Sequence, residues 1–170
     1  MKYMFLPGNS ASNKEWIDRL ALEFDEPKEV LYYNHWSENK KDLDFNTELR
    51  ILSTLPKEDY IVIAKSAGCV LALKAVEEGI LRVRKCFFIG FPILYISKLD
   101  INIESLLDND IETIFIQKSK DYQIGFDDLK KQISKVKKNS RFILYERGGE
   151  PNDNHHYEDT SYLKKLCMKE

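Results

Sequence analysis

The sequence IVIAKSAGCVLALKA, residues 61–75, passes from a strand pattern to a helix pattern at a single serine, Ser66. The apolar run before Ser66 is typical of a strand that is covered on both faces. After the serine, apolar residues recur at helical spacing. Ala64 and Gly68 lie two residues on either side, so the stretch fits the small-x-Ser-x-Gly pattern of a sharp strand–turn–helix corner.

A corner of this kind, called a nucleophile elbow, indicates a chemical role for Ser66. It would present the hydroxyl at the carboxyl edge of a sheet and at a helix N-terminus, where developing negative charge is stabilised. The alternative is a serine that only caps the helix. The strand pattern before it and the helix pattern after it favour the elbow, because the motif requires that context.

A nucleophilic serine needs a general base, and the sequence contains three histidines. His35 follows the second predicted strand. His155 and His156 lie in the polar loop EPNDNHHYEDT after the last predicted strand, from which a base could return over the sheet edge. A solvated pair without function stays open, whereas zinc binding is disfavoured because no HExxH spacing occurs.

The acid that would orient the base is predicted to be Asp121, a few residues beyond the predicted strand TIFIQ. It could instead be a turn residue or favour a helix start, and that interpretation is preferred for Asp127 and Asp128. Each of the three candidate residues follows its own strand, and the chain order is serine, aspartate, histidine.

Strand and helix patterns alternate along the whole chain, which predicts one α/β domain over residues 1–170 with a mostly parallel sheet. The predicted strands are 3–6, 30–33, 60–64, 86–90, 113–117 and 142–145.

The predicted helices begin with one that Ser12 caps in a capping box with Glu15. The others are a helix around 42–54, one from Ser66 to a stop at Gly79, one over 126–136, and a last one near Leu163 and Leu166. We expect segment 91–110 to pass over the sheet end and help to wall a pocket.

Composition excludes several classes of partner. The net charge is −2, from 26 basic and 28 acidic residues, which gives no reason to expect nucleic acid or an anionic membrane. No apolar run approaches the ~20 residues that cross a bilayer. Three cysteines without a CxxC motif fit a reducing cytoplasm. We expect no cofactor and no metal, and the oligomeric state stays open.

The chain resembles the α/β-hydrolase superfamily, and most of all its small capless serine hydrolases of the retinoblastoma-binding-protein-9 type. The segments that carry the resemblance are FLPGNSASNKEW (5–16), IVIAKSAGCVLAL (61–73), IFIQKSKDYQIGF (114–126) and HHYED (155–159). The resemblance implies a three-layer αβα sandwich around a six-stranded sheet of order 2-1-3-4-5-6, a minimal form of that fold. Winding reverses between strands one and three of such a sheet, and ligands bind there.

The resemblance also implies roles for individual residues. Ser66 would be the nucleophile, Asp121 the orienting acid and His155 the base. The His-x-Tyr spacing is the one feature that favours His155, so His156 is the rival base. The oxyanion would be bound by backbone N–H groups of Ala67 and of the Asn9 region.

Four further residues are candidates for substrate binding. Ser10 falls at the reversal point of the sheet. Lys65, beside the nucleophile, would attract anionic substrates or else point to solvent. Phe91 and Tyr95 would form an apolar wall for an acyl group, with core packing as the open alternative.

The preferred function is acyl transfer to water from a small-molecule ester, thioester or amide. A second hypothesis is a binding or regulatory module on a retained hydrolase scaffold, since a fold does not guarantee its chemistry. A third and weaker hypothesis is a flavodoxin-like binder of a nucleotide or flavin.

Overall fold

The computed structural model describes residues 2–38, 40–99, 101, 107 and 110–169. Its centre is a six-stranded sheet of order β2-β1-β3-β4-β5-β6 in which every neighbouring pair is parallel. The strands are β1 (Lys2–Leu6), β2 (Lys28–Val30), β3 (Asp59–Lys65), β4 (Arg82–Ile89), β5 (Glu112–Gln117) and β6 (Ser140–Leu144). The predicted fold class and strand order are confirmed.

Helices cover both faces of the sheet. They are α1 (Asn13–Leu22), α2 (Asn34–Ser37), α3 (Phe45–Ser53), α4 (Ala67–Glu77), α5 (Ile93–Lys98), α6 (Phe126–Val136) and α7 (Thr160–Met168). α3, α4 and α6 bury their apolar residues in one core, while α1 and α7 bury theirs in a second core on the opposite face. None of the helices in the described part of the chain has the length and apolar character that a bilayer crossing requires.

The two cores explain the apolar pattern of β3. Val62 and Ala64 face the first core and Ile63 faces the second, and all three are fully buried. Because side chains alternate between the faces of a strand, a strand that is covered twice needs apolar residues at every position.

Some predicted boundaries and contacts differ from the structure. β2 ends at Val30, because beyond it only the N–H of Leu31 still bonds to β1, at Phe5 O. Tyr33 leaves the sheet and donates its hydroxyl to Pro7 O at 2.6 Å. α2 and α5 were not predicted, and part of segment 91–110 lies outside the described residues.

The predicted capping box is wrong. Ser12 already has helical backbone angles, φ −62° and ψ −17°, and its side chain makes no capping bond. An N-cap side chain reaches the helix N–H groups from an extended backbone, which Ser12 lacks. Its Oγ lies 2.9 Å from Oγ of Ser10 instead. The predicted stop of α4 is confirmed, since Gly79 follows the helix with φ +66°.

The first turn of α4 packs directly against the carboxyl end of β1. A Cβ atom on Gly68 would lie 2.2 Å from Leu6 O and 2.5 Å from Pro7 O. Both are backbone oxygens, so neither can rotate away as a flexible side chain would. Glycine is therefore required at position 68 for α4 to start where it does.

We predict that Gly68→Ala lowers the free energy of unfolding by about 3 kcal/mol or more, at the upper end of overpacking costs because backbone must move. Urea unfolding would measure it as a lower midpoint at unchanged slope. Gly148→Ala is the matched control, because its Cβ would meet no atom within 4 Å. Equal midpoints for the two variants would contradict the prediction.

Candidate active site

Ser66 lies between β3 and α4 in a strained backbone conformation, with φ 50° and ψ −121°. Among the described residues it is the one non-glycine residue with a positive φ. Such a conformation costs about 1–3 kcal/mol and persists only where the surroundings enforce it. The N–H of Ser66 donates to Ile89 O at 3.0 Å, and its carbonyl accepts from the N–H of Cys69 at 2.9 Å. The sharp corner expected at this serine is present.

Asp121 and His155 meet in a buried hydrogen-bonded pair. Nδ1 of His155 lies 2.9 and 2.8 Å from the two carboxylate oxygens of Asp121. The carboxylate also accepts the hydroxyl of Tyr157 at 2.7 Å and the N–H of Gln123 at 2.9 Å. A carboxylate only accepts, so Nδ1 carries the proton and Nε2 is the basic atom of the neutral imidazole.

The phenol of Tyr157 keeps its proton in this arrangement. Burial, and then the charge of Asp121 and the hydrogen bond to it, raise the pKa of Tyr157 well above its ordinary value. The hydroxyl accepts from the N–H of Lys118 at 3.2 Å while it donates to Asp121. Tyr157 therefore acts as a fixed donor to the carboxylate.

Nε2 of His155 is buried and has no hydrogen-bond partner among the residues that the structure describes. Buried polar atoms without a partner are rare in native proteins. Ser66 and His155 both line one cavity of about 560 Å³, although no hydrogen bond joins them there. Catalytic hydrogen bonds are often long in enzymes without substrate and shorten in the substrate complex.

His156 also borders the cavity, but it differs from His155 in its burial and in its partners. Its side chain is 69% exposed, and Nδ1 lies 3.8 Å from the carboxylate of Glu158 at the cavity rim. The structure thus brings His155, and not His156, to Asp121. The remaining histidine, His35, is buried in α2.

The side chains of His35 and Trp36 hold the loop after β1 in place. The carbonyl oxygen of Asn9 lies 2.7 Å from Nε2 of His35 and accepts Nε1–H of Trp36 at 2.8 Å. The Asn9 side chain accepts the N–H of Leu43 and donates to Lys41 O. The Asn9 side chain is thus occupied, which leaves its backbone N–H as the group to consider at the cavity.

The other N–H predicted to bind an oxyanion belongs to Ala67, the first residue of α4. The first N–H groups of a helix have no acceptor within it. Asn9, Ser10 and Ser66 line the cavity together, so the loop after β1 and the start of α4 border the same space.

The candidate substrate-binding residues divide into two pairs. Ser10 and Lys65 line the cavity, and Lys65 is only 7% exposed, so a solvent-facing Lys65 is wrong. Phe91 is fully buried between Phe88 and Phe115, and its N–H donates to Oε1 of the buried Gln117.

The apolar wall predicted for the cavity is absent from its described lining. Tyr95 packs against Phe45, with ring centroids 6.5 Å apart, and neither it nor Phe91 lines the cavity. The lining is mostly polar: Gly8, Asn9, Ser10, Ser12, Asn13, Glu15, Trp16, Arg19, Lys65, Ser66, Tyr122, His155, His156 and Glu158. In the described ranges, no three His, Cys, Asp or Glu side chains are grouped so that they could bind a metal ion.

Lys118 and Gly90 position the site, and sequence reasoning missed both. A Cβ on Gly90, which has φ +59°, would lie 2.7 Å from Cε2 of Tyr157 and 2.8 Å from Cε1 of His155. Glycine at the end of β4 thus leaves room for the histidine loop. A glycine directly after a buried strand was the one signal in the sequence.

The ammonium of Lys118 anchors the histidine loop. Nζ donates to Pro151 O at 2.8 Å and to Oδ1 of Asn154 at 3.0 Å, and it lies 3.4 Å from the carboxylate of Glu150. Because the Lys118 side chain is only 1% exposed, losing these partners would leave a buried ammonium unsatisfied. Lys118 thereby fixes the segment immediately before His155.

Solved structures show which fold this is. The structure superposes on a protein from Pectobacterium atrosepticum named as a YdeN-like hydrolase, with a TM-score of 0.70 and 16% identity, covering 98% of this chain and 89% of that one. A thioesterase domain from the curacin biosynthetic pathway gives a TM-score of 0.65 at 10% identity, covering 99% and 91%. The fold is therefore that of the α/β-hydrolases.

A third neighbour is larger. An uncharacterized protein from Bacillus cereus ATCC 10987 gives a TM-score of 0.66 at 19% identity, and the match covers 99% of this chain but 59% of that protein. No family model matches the sequence, and no curated protein matches it.

We predict that Lys118→Met loosens the histidine loop without unfolding the sheet. Amide hydrogen exchange over residues 150–156 should accelerate by about tenfold or more, whereas the central strands keep their protection. Lys120→Met is the matched control, because Lys120 is exposed and only its backbone N–H bonds to the loop, at Asn152 O. Equal exchange in both variants would mean that Lys118 is not the anchor.

Proposed function

We propose that this protein is a serine hydrolase that cleaves a small carboxylic ester, thioester or amide through an acyl-enzyme. Ser66 is the nucleophile, His155 the general base and Asp121 the acid that orients it. One observation carries the proposal: Nδ1 of His155 is held by Asp121 at 2.8 Å, while its Nε2 has no partner in the described residues and its ring lines the cavity of Ser66.

In the first half of the reaction, Oγ of Ser66 attacks the carbonyl carbon and its proton passes to Nε2 of His155. The carbonyl π electrons move to oxygen and form an oxyanion. When the tetrahedral adduct collapses, the bond to the leaving alcohol, thiol or amine breaks, and that group takes the proton from Nε2. The acyl group remains as an ester on Ser66.

The second half repeats these steps with water. Water gives a proton to Nε2 and attacks the acyl carbon, the bond to Oγ breaks, and Oγ takes the proton back. The products are a carboxylic acid and the free enzyme. Asp121 keeps its carboxylate charge throughout and stabilises the imidazolium that forms twice per turnover.

The oxyanion is bound by the N–H groups of Ala67 and Asn9, each contributing about 3–4 kcal/mol to transition-state stabilisation. The fixed loop supports this assignment, because His35 and Trp36 hold the Asn9 carbonyl and restrict rotation of its backbone. Donors that need no reorganisation during the reaction are the effective ones.

Two more specific proposals accompany this function, one on the type of hydrolase and one on its cellular compartment. The protein is a small hydrolase of the retinoblastoma-binding-protein-9 type, supported by the four sequence segments that resemble it. It works in a reducing compartment such as the cytoplasm, supported by three buried cysteines that form no disulfide. Burial raises the pKa of the Cys86 and Cys167 thiols to about 12, which keeps both unreactive.

One observation favours the alternative of a catalytically weak binding or regulatory protein: no hydrogen bond joins Ser66 to His155. The hydrolase names of the two similar structures favour the enzyme. Chemistry at Ser66 separates the two hypotheses.

We predict that a fluorophosphonate probe labels the wild-type protein and not Ser66→Ala, because phosphonylation requires the activated hydroxyl. Gel fluorescence and intact mass measure the adduct. Ser161→Ala, which removes an exposed hydroxyl outside the cavity lining, is the control and should label like wild type. A wild-type protein that stays unlabelled would support the binding protein, and equal labelling of Ser66→Ala would refute the nucleophile.

We predict that His155→Ala lowers kcat/KM for 4-nitrophenyl acetate by about 10²–10⁴, the usual contribution of a positioned acid–base group. His156→Ala should change it by about twofold, as for a surface substitution worth within about 0.5 kcal/mol. Circular dichroism checks that both variants fold. The reverse ranking would make His156 the base.

A further inference from the structure

Lys65, the last residue of β3, is a buried cation that pairs with no acid of the described ranges. Its ammonium donates to Oδ1 of Asn13 at 2.7 Å and lies 5.0 Å from the centroid of the Trp16 ring. No carboxylate of the described residues forms an ion pair with it. An ammonium has three N–H donors, so one amide oxygen and one ring leave it incompletely satisfied.

The contrast with Lys118 shows what a buried lysine ordinarily requires. Lys118 has two oxygen acceptors and Glu150 at 3.4 Å, and it serves as a structural anchor. Buried charges are usually paired, because taking an unpaired charge out of water is costly. Lys65 has no equivalent of Glu150.

The acids nearest to Lys65 are engaged elsewhere. Glu158 and Asp121 favour its charged form from a distance, and Lys118 opposes it. Glu158 lies 3.6 Å from the guanidinium of Arg19 and 3.8 Å from His156, and Asp121 is bonded to His155.

Glu15, at the rim, is exposed and completes the charged groups around the cavity. Burial nevertheless lowers the pKa of Lys65 to about 8, so the ammonium is mostly charged below that pH and mostly neutral above it.

The position of the Lys65 ammonium determines which ligand could pair with it. Lys65 and Ser66 are adjacent in the chain, with Cα atoms about 3.8 Å apart, and both line the same cavity. A charge at Lys65 is therefore within reach of a substrate whose carbonyl lies at Ser66.

We propose that Lys65 binds a carboxylate of the substrate, so that the preferred substrate is an anionic acyl compound such as the half-ester of a dicarboxylic acid. The inference rests on the function proposed above. Asn13 and Trp16 hold the ammonium in place for this anion. The carboxylate completes the charge pair that the protein alone leaves open, and it places the ester carbonyl next to Ser66.

The experiment compares two esters that differ only in the charge at the chain end, 4-nitrophenyl hydrogen adipate and 4-nitrophenyl hexanoate. In wild type, kcat/KM should favour the anionic ester, and in Lys65→Met the ratio of the two values should fall by about tenfold or more, as when one partner of a buried charge pair is removed. Lys65→Gln is the second variant. Lys14→Met is the control, because it removes an exposed charge outside the cavity lining and should leave the ratio unchanged.

A pH series adds a readout that a purely structural lysine would not move. The ratio between the two esters cancels every effect of pH that both substrates share. In wild type the ratio should decline as pH rises through about 8, where Lys65 loses its charge, and in Lys65→Met it should stay flat. The thermal midpoint of Lys65→Met should equal or exceed that of wild type, because an apolar side chain replaces an unpaired buried charge.

A second arm asks on which side of the scissile bond the carboxylate lies. 4-Carboxyphenyl acetate and its methyl ester carry the charge or its neutral counterpart on the leaving group. If the Lys65→Met effect appears only with this pair, Lys65 still binds a carboxylate, but the anionic acyl substrate is overturned in favour of an anionic leaving group. If neither pair shows an effect, Lys65 does not bind the substrate.

A failure of the proposed role of Lys65 is distinguishable from a failure of the proposed hydrolase function. Wild type that hydrolyses the esters of both pairs, with ratios that Lys65→Met leaves unaffected in both, overturns this inference and leaves the hydrolase intact. If no ester is hydrolysed, binding decides: monomethyl adipate, titrated into Ser66→Ala by NMR, should bind about tenfold or more tightly than dimethyl adipate, and Lys65→Met should abolish the difference. Equal binding of the two esters overturns the inference without reference to catalysis.

Discussion

The contact between the first turn of α4 and the carboxyl end of β1 is the constraint on which the site depends. Gly68 lets the α4 backbone approach the carbonyls of Leu6 and Pro7, and the N–H of Ser66 ties the same turn to Ile89 at the end of β4. The turn is thus fixed to both strands that flank β3. A strained φ persists only where the surrounding contacts enforce it. The contacts of this turn with β1 and β4 do so, and they keep Ser66 at the edge of the sheet.

Burial of the Asp121 carboxylate sets the second condition. A buried carboxylate needs donors, and it receives them from His155, Tyr157 and Gln123, of which the first two lie on the loop after β6. The loops after β5 and β6 are therefore bound to each other through one charged group. Lys118 adds a second attachment to the loop after β6, because its ammonium bonds to Pro151 O and to Oδ1 of Asn154.

The sequence predicts the fold and much of the site because both depend on local patterns. β3, Ser66 and α4 are contiguous, and a residue that follows a parallel strand must lie at the carboxyl edge, which places Asp121 and His155 near Ser66. Gly90 and Lys118 escaped prediction because their roles depend on contacts with residues distant in the chain.

The two errors at the site have physical reasons of their own. Phe91 follows a buried strand, and in the sequence an apolar residue there fits a core or a cavity wall equally well. In the structure its N–H is bonded to the buried Gln117 side chain and its ring packs in the core. Ser12 matches the residue types of a capping box, but a capping side chain also needs an extended backbone, which the residue pattern does not specify.

Three local costs coincide at one cavity: the strained backbone of Ser66, the Nε2 of His155, to which no described residue bonds, and the charge of Lys65, with which no described carboxylate pairs. A chain selected for stability alone would remove each by a common substitution, and the buried Lys118 shows that full pairing of a lysine is attainable in this fold. Natural proteins retain such violations chiefly where function requires them. The three features lie together at one edge of the sheet, beside a turn that two strands hold in place. Their coincidence is thus evidence for chemistry that no single residue would supply.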